Sequence, residues 1–348
     1  MSQGISAAAF QPECRYLAAP DPEGLREWLL RLRLKAYVPG SHYKVADILG
    51  MRCASGMLYF GGVNVECLDH RQTVHSEECA IAFMVTALGK KAAIHEAWVM
   101  GAPASLTGPC DHPMADLDAQ PCGNCRQQIL GLAVNDQIPV HCLSLNGRDT
   151  VKTIGYLLPD AFQFEDFDPE AAAERAAAQG FLAPENVQEV IHQVIRQGPL
   201  SQQDIRDWIG QLESVDYASR IGQAVIIRLE NGFYVAGVKV ENAAYTGLNA
   251  MQAALGIATA NFGKVRVQEI YTLSTSRRPD MPGHDVVYPL SLPSIQGLNE
   301  FVADPHIPVT LFTQGGDYVV MKYSDAADCF SNFTVQAYRI QGGQMQAA

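Results

Sequence analysis

The sequence predicts an α/β fold built twice in one chain, with further helices ahead of and between the two copies. Two observations carry this. Strand-like and helix-like patterns alternate between residues 43 and 145, as a layered α/β domain requires. A hairpin, loop and helix then recur 175 residues later, where Tyr59, Gly62, Val63, Val65 and Glu66 align with Tyr234, Gly237, Val238, Val240 and Glu241. The short period of a solenoid is absent, so the pattern is one duplicated domain. A chain of 348 residues, 48% hydrophobic and 18% charged, has the length and the apolar content for two such cores.

Each element follows from local pattern. Residues 22–35 set Leu25, Trp28, Leu29 and Leu32 at helical spacing behind Asp21 and Pro22. Two β-like runs, Tyr43–Arg52 and residues 57–65, joined by Ala54-Ser55-Gly56, read as a hairpin. A helix follows Thr73, with Ile81, Met84, Val85 and Leu88 apolar, and ends at Gly89 and two lysines. Residues 94–100 read as a buried strand, 101–120 as a Gly/Pro/Asp-rich loop, 122–132 as a short helix and 138–145 as a strand. The Ala- and acid-rich stretch after residue 165 opens a helical connector. From Ile221 a second hairpin turns at Glu230-Asn231-Gly232, and a helix follows over 248–261. The expected units are a helical segment at 1–40, a first domain at 41–164, a helical connector at 165–216 and a second domain at 217–348.

A formal charge of −12 argues against a polynucleotide partner, since phosphate contacts need clustered Lys and Arg. No apolar run reaches the roughly 18 residues of a membrane span. The N-terminus has no basic start followed by an apolar stretch, so a cytoplasmic chain is expected. Nine cysteines, an odd number, read as reduced thiols plus a metal site.

The chemistry concentrates in His75-Ser76-Glu77 and Pro121-Cys122-Gly123-Asn124-Cys125. A catalytic zinc takes three protein ligands and leaves one position open, and His75, Cys122 and Cys125 supply that count. Both cysteines sit at a helix start, where the positive end of the helix dipole favours thiolate. Glu77 lies beside His75 and is not needed as a ligand, which leaves it as a base for a metal-activated water. A lone CxxC is ambiguous between structural zinc, redox thiols and catalysis. The joint occurrence of HxE and PCxxC is the signature of zinc deaminases.

On these residues the chain resembles the long, two-domain type of zinc-dependent cytidine deaminase, closely over residues 40–165 and more weakly over 217–275. The resemblance implies a three-layer sandwich of one mixed sheet flanked by helices, one Zn2+ per chain, a nucleoside substrate and a homodimer. It implies that Asn64 and Glu66 of Asn64-Val65-Glu66 hydrogen-bond sugar hydroxyls, and that Tyr43 of Ser41-His42-Tyr43 stacks on the base. Leu157-Leu158-Pro159-Asp160-Ala161-Phe162 matches the segment that follows the family's core domain. Glu77 then moves a proton from water to ring N3 and on to the departing amine. Arg126 is either a donor to a ligand thiolate or a solvated helix arginine. The second copy reads as stripped: His75 aligns with Ala250, Glu77 with Gln252 and Asn64 with Lys239, and no cysteine lies between Cys142 and Cys329. Its expected role is packing.

Some features depart from the family. Val45-Ala46-Asp47 stands where the family has Val-Gly-Ala, Glu78 adds acid beside Glu77, and residues 101–120 are an insertion ahead of Pro121 that can reshape the pocket lid. Cys14, Cys53, Cys67, Cys79, Cys110, Cys142 and Cys329 read as plain thiols and His70 and His112 as loop histidines, the alternatives being metal ligation for Cys110 with His112 and a substrate contact for His70. Three functions stay open. One is deamination of cytidine or deoxycytidine. Another is deamination of a modified or secondary-metabolite aminopyrimidine nucleoside, as in relatives of blasticidin S deaminase. The last is a zinc-bearing binding protein without catalysis.

Overall fold

The computed structural model describes residues 10–164, 168–276, 286–328, 338–341 and 344–347. The first half forms β1 (Cys14–Leu17), α1 (Pro22–Arg33), β2 (Tyr43–Arg52), β3 (Met57–Val63), α2 (Ser76–Leu88), β4 (Glu96–Pro103), α3 (Gly123–Leu132), β5 (Pro139–Leu143), β6 (Asp149–Thr153) and α4 (Ile154–Leu157). Its six strands make one mixed sheet in the order β1-β3-β2-β4-β5-β6. Only β4 and β5 pair in parallel; the other neighbours are antiparallel.

After α5 (Pro169–Ala178) and α6 (Val187–Val194), the same plan repeats with β7 (Ile195–Gln197), α7 (Gln202–Gln211), β8 (Ile221–Leu229), β9 (Phe233–Val238), α8 (Ala250–Phe262), β10 (Val267–Ser276), β11 (Val286–Val287), α9 (Leu292–Leu298), β12 (Pro308–Phe312), β13 (Tyr318–Lys322) and α10 (Tyr323–Asp328). The second sheet runs β7-β9-β8-β10-β12-β13, with β10 and β12 as its parallel pair. Strand for strand this is the first order again. A small sheet of β11, β14 (Tyr338–Gln341) and β15 (Gln344–Ala347) is added.

The period-2 alternation of a strand explains the three layers. On β3, a Cβ built at Gly61 would meet Leu32 and Trp28 of α1, whereas one at Gly62 would come within 2.3 Å of Ser76 O and Ala80 N of α2. Consecutive residues therefore face opposite helix layers, and α2 rests directly on the sheet. Gly237 does the same beneath α8, within 2.2 Å of Ala254 N and 2.6 Å of Ala250 O. The two central helices also meet: a Cβ at Gly256 of α8 would lie 3.3 Å from Cys79 Sγ. Contact on both sides accounts for α2 being buried all round, from Ser76 to Thr86, without the polar stripe of a surface helix.

Two strand pairings cross the expected unit boundaries. β1 pairs with β3, so part of the 1–40 segment belongs to the first sheet. Within 165–216, β7 pairs with β9 and so belongs to the second. Residues 165–167, at the start of the expected connector, and Cys329 lie outside the described residues. The short edge strands β1 and β6 carried no pattern of their own. Among the described residues no helix is long and apolar enough to cross a membrane.

The alignment of the copies also changes by one position. His75 and Asn249 are both N-caps, and Glu78 and Gln252 both return a side chain to the cap N–H, at 2.8 and 3.2 Å. The shift is thus 174 along the helices and 175 along the hairpins, because the loop between the bridges at Val65 and Val74 is one residue longer than its counterpart between Val240 and Leu248. His75 corresponds to Asn249 rather than Ala250, and Glu77 to Met251 rather than Gln252.

Candidate active site

His75 ends an extended segment and caps α2. Its backbone N–H donates to Glu78, whose carboxylate also accepts from Asn124 at 2.8 Å and Gln128 at 2.6 Å. Glu78 is thereby fully engaged in joining α2 to α3. Cys122 caps α3, and Cys125 lies one turn inside it, fully buried.

The two helix starts bring His75, Cys122 and Cys125 together. The sulphurs are 3.6 Å apart, and His75 Nδ1 lies 3.6 Å from Cys122 Sγ and 3.4 Å from Cys125 Sγ. A tetrahedral zinc with bonds of about 2.3 Å to sulphur and about 2.0 Å to nitrogen needs edges of about 3.8 Å and about 3.5 Å. The donor triangle fits that ion. Without it the group shares protons: Cys122 is pushed down to about 3 by hydrogen bonds from Cys125 and His75, Cys125 is pushed well up by the same bond, and His75 rises to about 9 beside the Cys122 sulphur. A bound cation would release those protons. Among the described residues this is the one group of three or more such side chains that can hold a metal ion.

A cavity of about 450 Å³ opens onto the triangle, lined among others by Tyr43, Asn64, Glu66, His75, Glu77 and Cys122. A second cavity, of about 440 Å³, borders Lys90 and Asp216, which pair with each other at 2.9 Å. Volume does not separate the two; the donor triangle does. Glu77 is buried, and its carboxylate accepts from Ser76 Oγ at 2.9 Å. Asn64 Oδ1 accepts from the Val45 N–H at 2.9 Å, and its amide donates to Tyr43 O at 3.0 Å. Glu66 accepts from the N–H groups of Gly40 at 3.1 Å and Ser41 at 2.9 Å, and from the Ser41 hydroxyl. These bonds hold the chain that delivers Tyr43. Gly101, opposite Val45 on β4, leaves room for the Tyr43 ring, since a Cβ there would lie 2.9 Å from Tyr43 Cε1 and 3.0 Å from Ala119 Cβ.

Arg126 donates to two backbone carbonyls, Pro121 O at 2.8 Å and Leu157 O at 3.0 Å. Those bonds brace the start of α3 and are neither a thiolate contact nor simple solvation. The Leu157–Phe162 stretch docks on α3 as well, through paired bonds between Gln127 and Phe162 at 2.7 and 3.1 Å.

Sequence reasoning did not single out Asp118 and Gln120, which line the cavity with Ala119. Their only signal was position just ahead of Pro121. The insertion that carries them is fastened down. Asn146 exchanges hydrogen bonds with Cys110 at 3.0 and 3.1 Å and donates to Asp116 at 2.8 Å, while Arg148 pairs with Asp118. Buried Arg33 donates to Ala102 O at 3.2 Å and also to Leu106 O. His112 accepts the Met114 N–H, and among the described residues Cys110 joins no group that could hold a metal ion.

Comparison with known proteins adds kinship. A cytidine deaminase of Yersinia pseudotuberculosis serotype IB (strain PB1/+) is 28% identical over 230 residues, covering 64% of this chain and 63% of that protein. A cytidine deaminase of Yersinia pestis (strain Pestoides F) matches to the same extent, 28% over 230 residues with the same coverage. The chain is thus similar to these cytidine deaminases over about two thirds of its length. The match spans 63% of the length of these relatives, less than two thirds. A solved cytidine deaminase from Burkholderia pseudomallei is 28% identical, covers 41% of this chain and 100% of its own, and superposes with a TM-score of 0.33. No family model matches.

In this chain the second copy keeps the clasp and not the metal-ligand residues. Glu241 accepts from the Ala218 and Ser219 N–H groups at 3.0 and 2.9 Å, as Glu66 does from Gly40 and Ser41. Lys239, in the place of Asn64, pairs with Glu241 at 2.6 Å.

Proposed function

We propose that the chain hydrolyses the amino group of a cytosine nucleoside, cytidine or deoxycytidine, releasing ammonia. The supporting observation is a donor triangle of zinc dimensions with Glu77 on the wall of the same cavity. A zinc ion held by His75, Cys122 and Cys125 would supply an activated water. Glu77 takes one proton of that water and places it on ring N3 as the water's oxygen bonds to C4; it then carries the second proton of the same water to the amine as the C4–N bond breaks. Tyr43 stacks on the base, and the unused acceptor capacity of Asn64 and Glu66 meets sugar hydroxyls. Arg126 keeps α3, and with it both cysteines, in place.

The insertion wall favours a second reading, in which Asp118, Ala119 and Gln120 fit the cavity to a modified aminopyrimidine nucleoside. Comparable efficiency on cytidine and on every larger analogue would argue against it. A homodimer is the expected assembly, and a fully active monomer in sedimentation would count against it. All eight cysteines among the described residues are free thiols, which suits the cytoplasm.

The deciding experiment incubates the zinc-loaded chain with a panel of aminopyrimidine and aminopurine nucleosides and measures ammonia. Glu77→Ala is expected to keep the metal and lose at least about 100-fold in kcat. No turnover of any nucleoside overturns the proposal. Full activity of Glu77→Ala overturns the role of Glu77.

A further inference from the structure

Asp47, in β2, is fully buried, and neither of its carboxyl oxygens has a hydrogen-bond partner among the described residues. A carboxyl left unsatisfied in the core costs folding free energy, so its presence calls for a function. Its position supplies one. Asp47 pairs across the sheet with Gly62, the residue on which the first turn of α2 rests, and with Val99 on β4. Cross-strand partners share a face, so the Asp47 carboxyl lies under the turn that carries Glu77. We propose that Asp47 is a positioning residue for Glu77, kept because it offers a hydrogen-bond donor beneath the base of the deamination site.

Three titratable groups interact with it: Glu77 and Cys79 on α2, and Cys142 on β5, while β3 and β4 present Gly62 and Val99. Burial first, and then the charge of Glu77, raise the Asp47 carboxyl well above the usual range, so it carries its proton and can donate. Glu78 is locked by three partners, but Glu77 accepts one hydrogen bond, from Ser76 Oγ. A base that serves a water, a ring nitrogen and a departing amine in turn has to reorient, and the Asp47 carboxyl, which is not bonded to Glu77 in the resting arrangement, is the donor that meets it when it turns toward the sheet.

This inference rests on the deaminase reading, and its test separates the two. Asp47→Ala and Asp47→Asn are made in the full-length chain, and zinc content, melting temperature, kcat and KM are measured. Both variants are expected to bind zinc normally and to melt higher than the parent at neutral pH, because neither has to keep a proton on a buried acid. Asp47→Ala should lose about 10- to 100-fold in kcat with KM little changed, and Asp47→Asn, which retains a donor, should recover part of that loss. Unchanged kcat in both variants overturns the proposal. So does a parallel fall in zinc content and melting temperature, which would make Asp47 purely structural. The second arm needs no turnover. In Co2+-substituted protein, Asp47→Ala should shift the visible bands, and the shift should vanish in a Glu77→Gln background. An equal shift in both backgrounds also overturns it. A parent chain that deaminates nothing defeats the deaminase reading alone, and the cobalt arm still decides whether Asp47 acts through Glu77.

Discussion

His75 serves the site with two different atoms. Its backbone N–H is taken by Glu78 at 2.8 Å, and its ring Nδ1 faces the two sulphurs. Glu66 is likewise divided, since its bonds to Gly40 and Ser41 recur at Glu241 in the copy without metal ligands. Those bonds therefore belong to the fold, and any sugar contact is added to them. Glu66→Gln should raise KM for cytidine more than for its 2′,3′-dideoxy analogue if the carboxylate meets sugar hydroxyls; equal increases would leave it as a clasp only. Asp47 gives a prediction in pH. Its folded-state pKa is raised, so the folded chain holds a proton that the unfolded chain releases above about pH 4. Stability from this residue is complete below that pH and is lost as pH rises toward the folded-state value. The stability advantage of Asp47→Asn should thus widen between roughly pH 5 and pH 8 in urea melts of zinc-saturated protein. An advantage constant across that range would mean Asp47 does not hold its proton.

At the scale of elements, the site is the meeting of two helix starts on one sheet. HxE and PCxxC were legible because ligand chemistry fixes both residue types and local spacing. The register of α2 on the sheet was not, since it depends on Gly62 accepting helix backbone where a Cβ would come within 2.3 Å. Gly62→Ala must displace the turn bearing His75 and Glu77, at a cost of about 1–3 kcal/mol, and should weaken zinc binding. Gly237→Ala meets the same obstacle under α8, within 2.2 Å of Ala254 N, and should lose similar stability with zinc affinity intact. Equal loss of zinc affinity in both variants would contradict this division. The insertion was legible as extra chain beside the metal but not as a wall, because its fastening by Asn146 and Arg148 comes from the distant β5–β6 turn.

Across the whole molecule the two copies share one core. α2 and α8 pack together, the Val238 N–H donates to Thr86 at 3.3 Å, and Glu13 and Lys35 both bond Asn261 of α8, at 2.9 Å each. The second copy is thus a support for the α2 face that the first cannot bury alone. A fragment of residues 1–164 is expected to lack a cooperative thermal transition by circular dichroism and to bind substoichiometric zinc. A fragment that melts cooperatively with one zinc per chain would show the copies to be independent.

The sequence by itself determined the candidate donor set of His75, Cys122 and Cys125, the placement of Glu77 beside it as the proposed base, the hairpin–helix duplication and the absence of those residue types from the matching positions of the second copy. These are properties of residue type and short spacing. The tertiary structure decided the one-residue slip that pairs His75 with Asn249, the backbone-bracing role of Arg126, the fixed wall at Asp118 and the unsatisfied carboxyl at Asp47. Each depends on which atoms from remote segments arrive within hydrogen-bonding or van der Waals distance, and that is set by packing rather than by the order of residues along the chain.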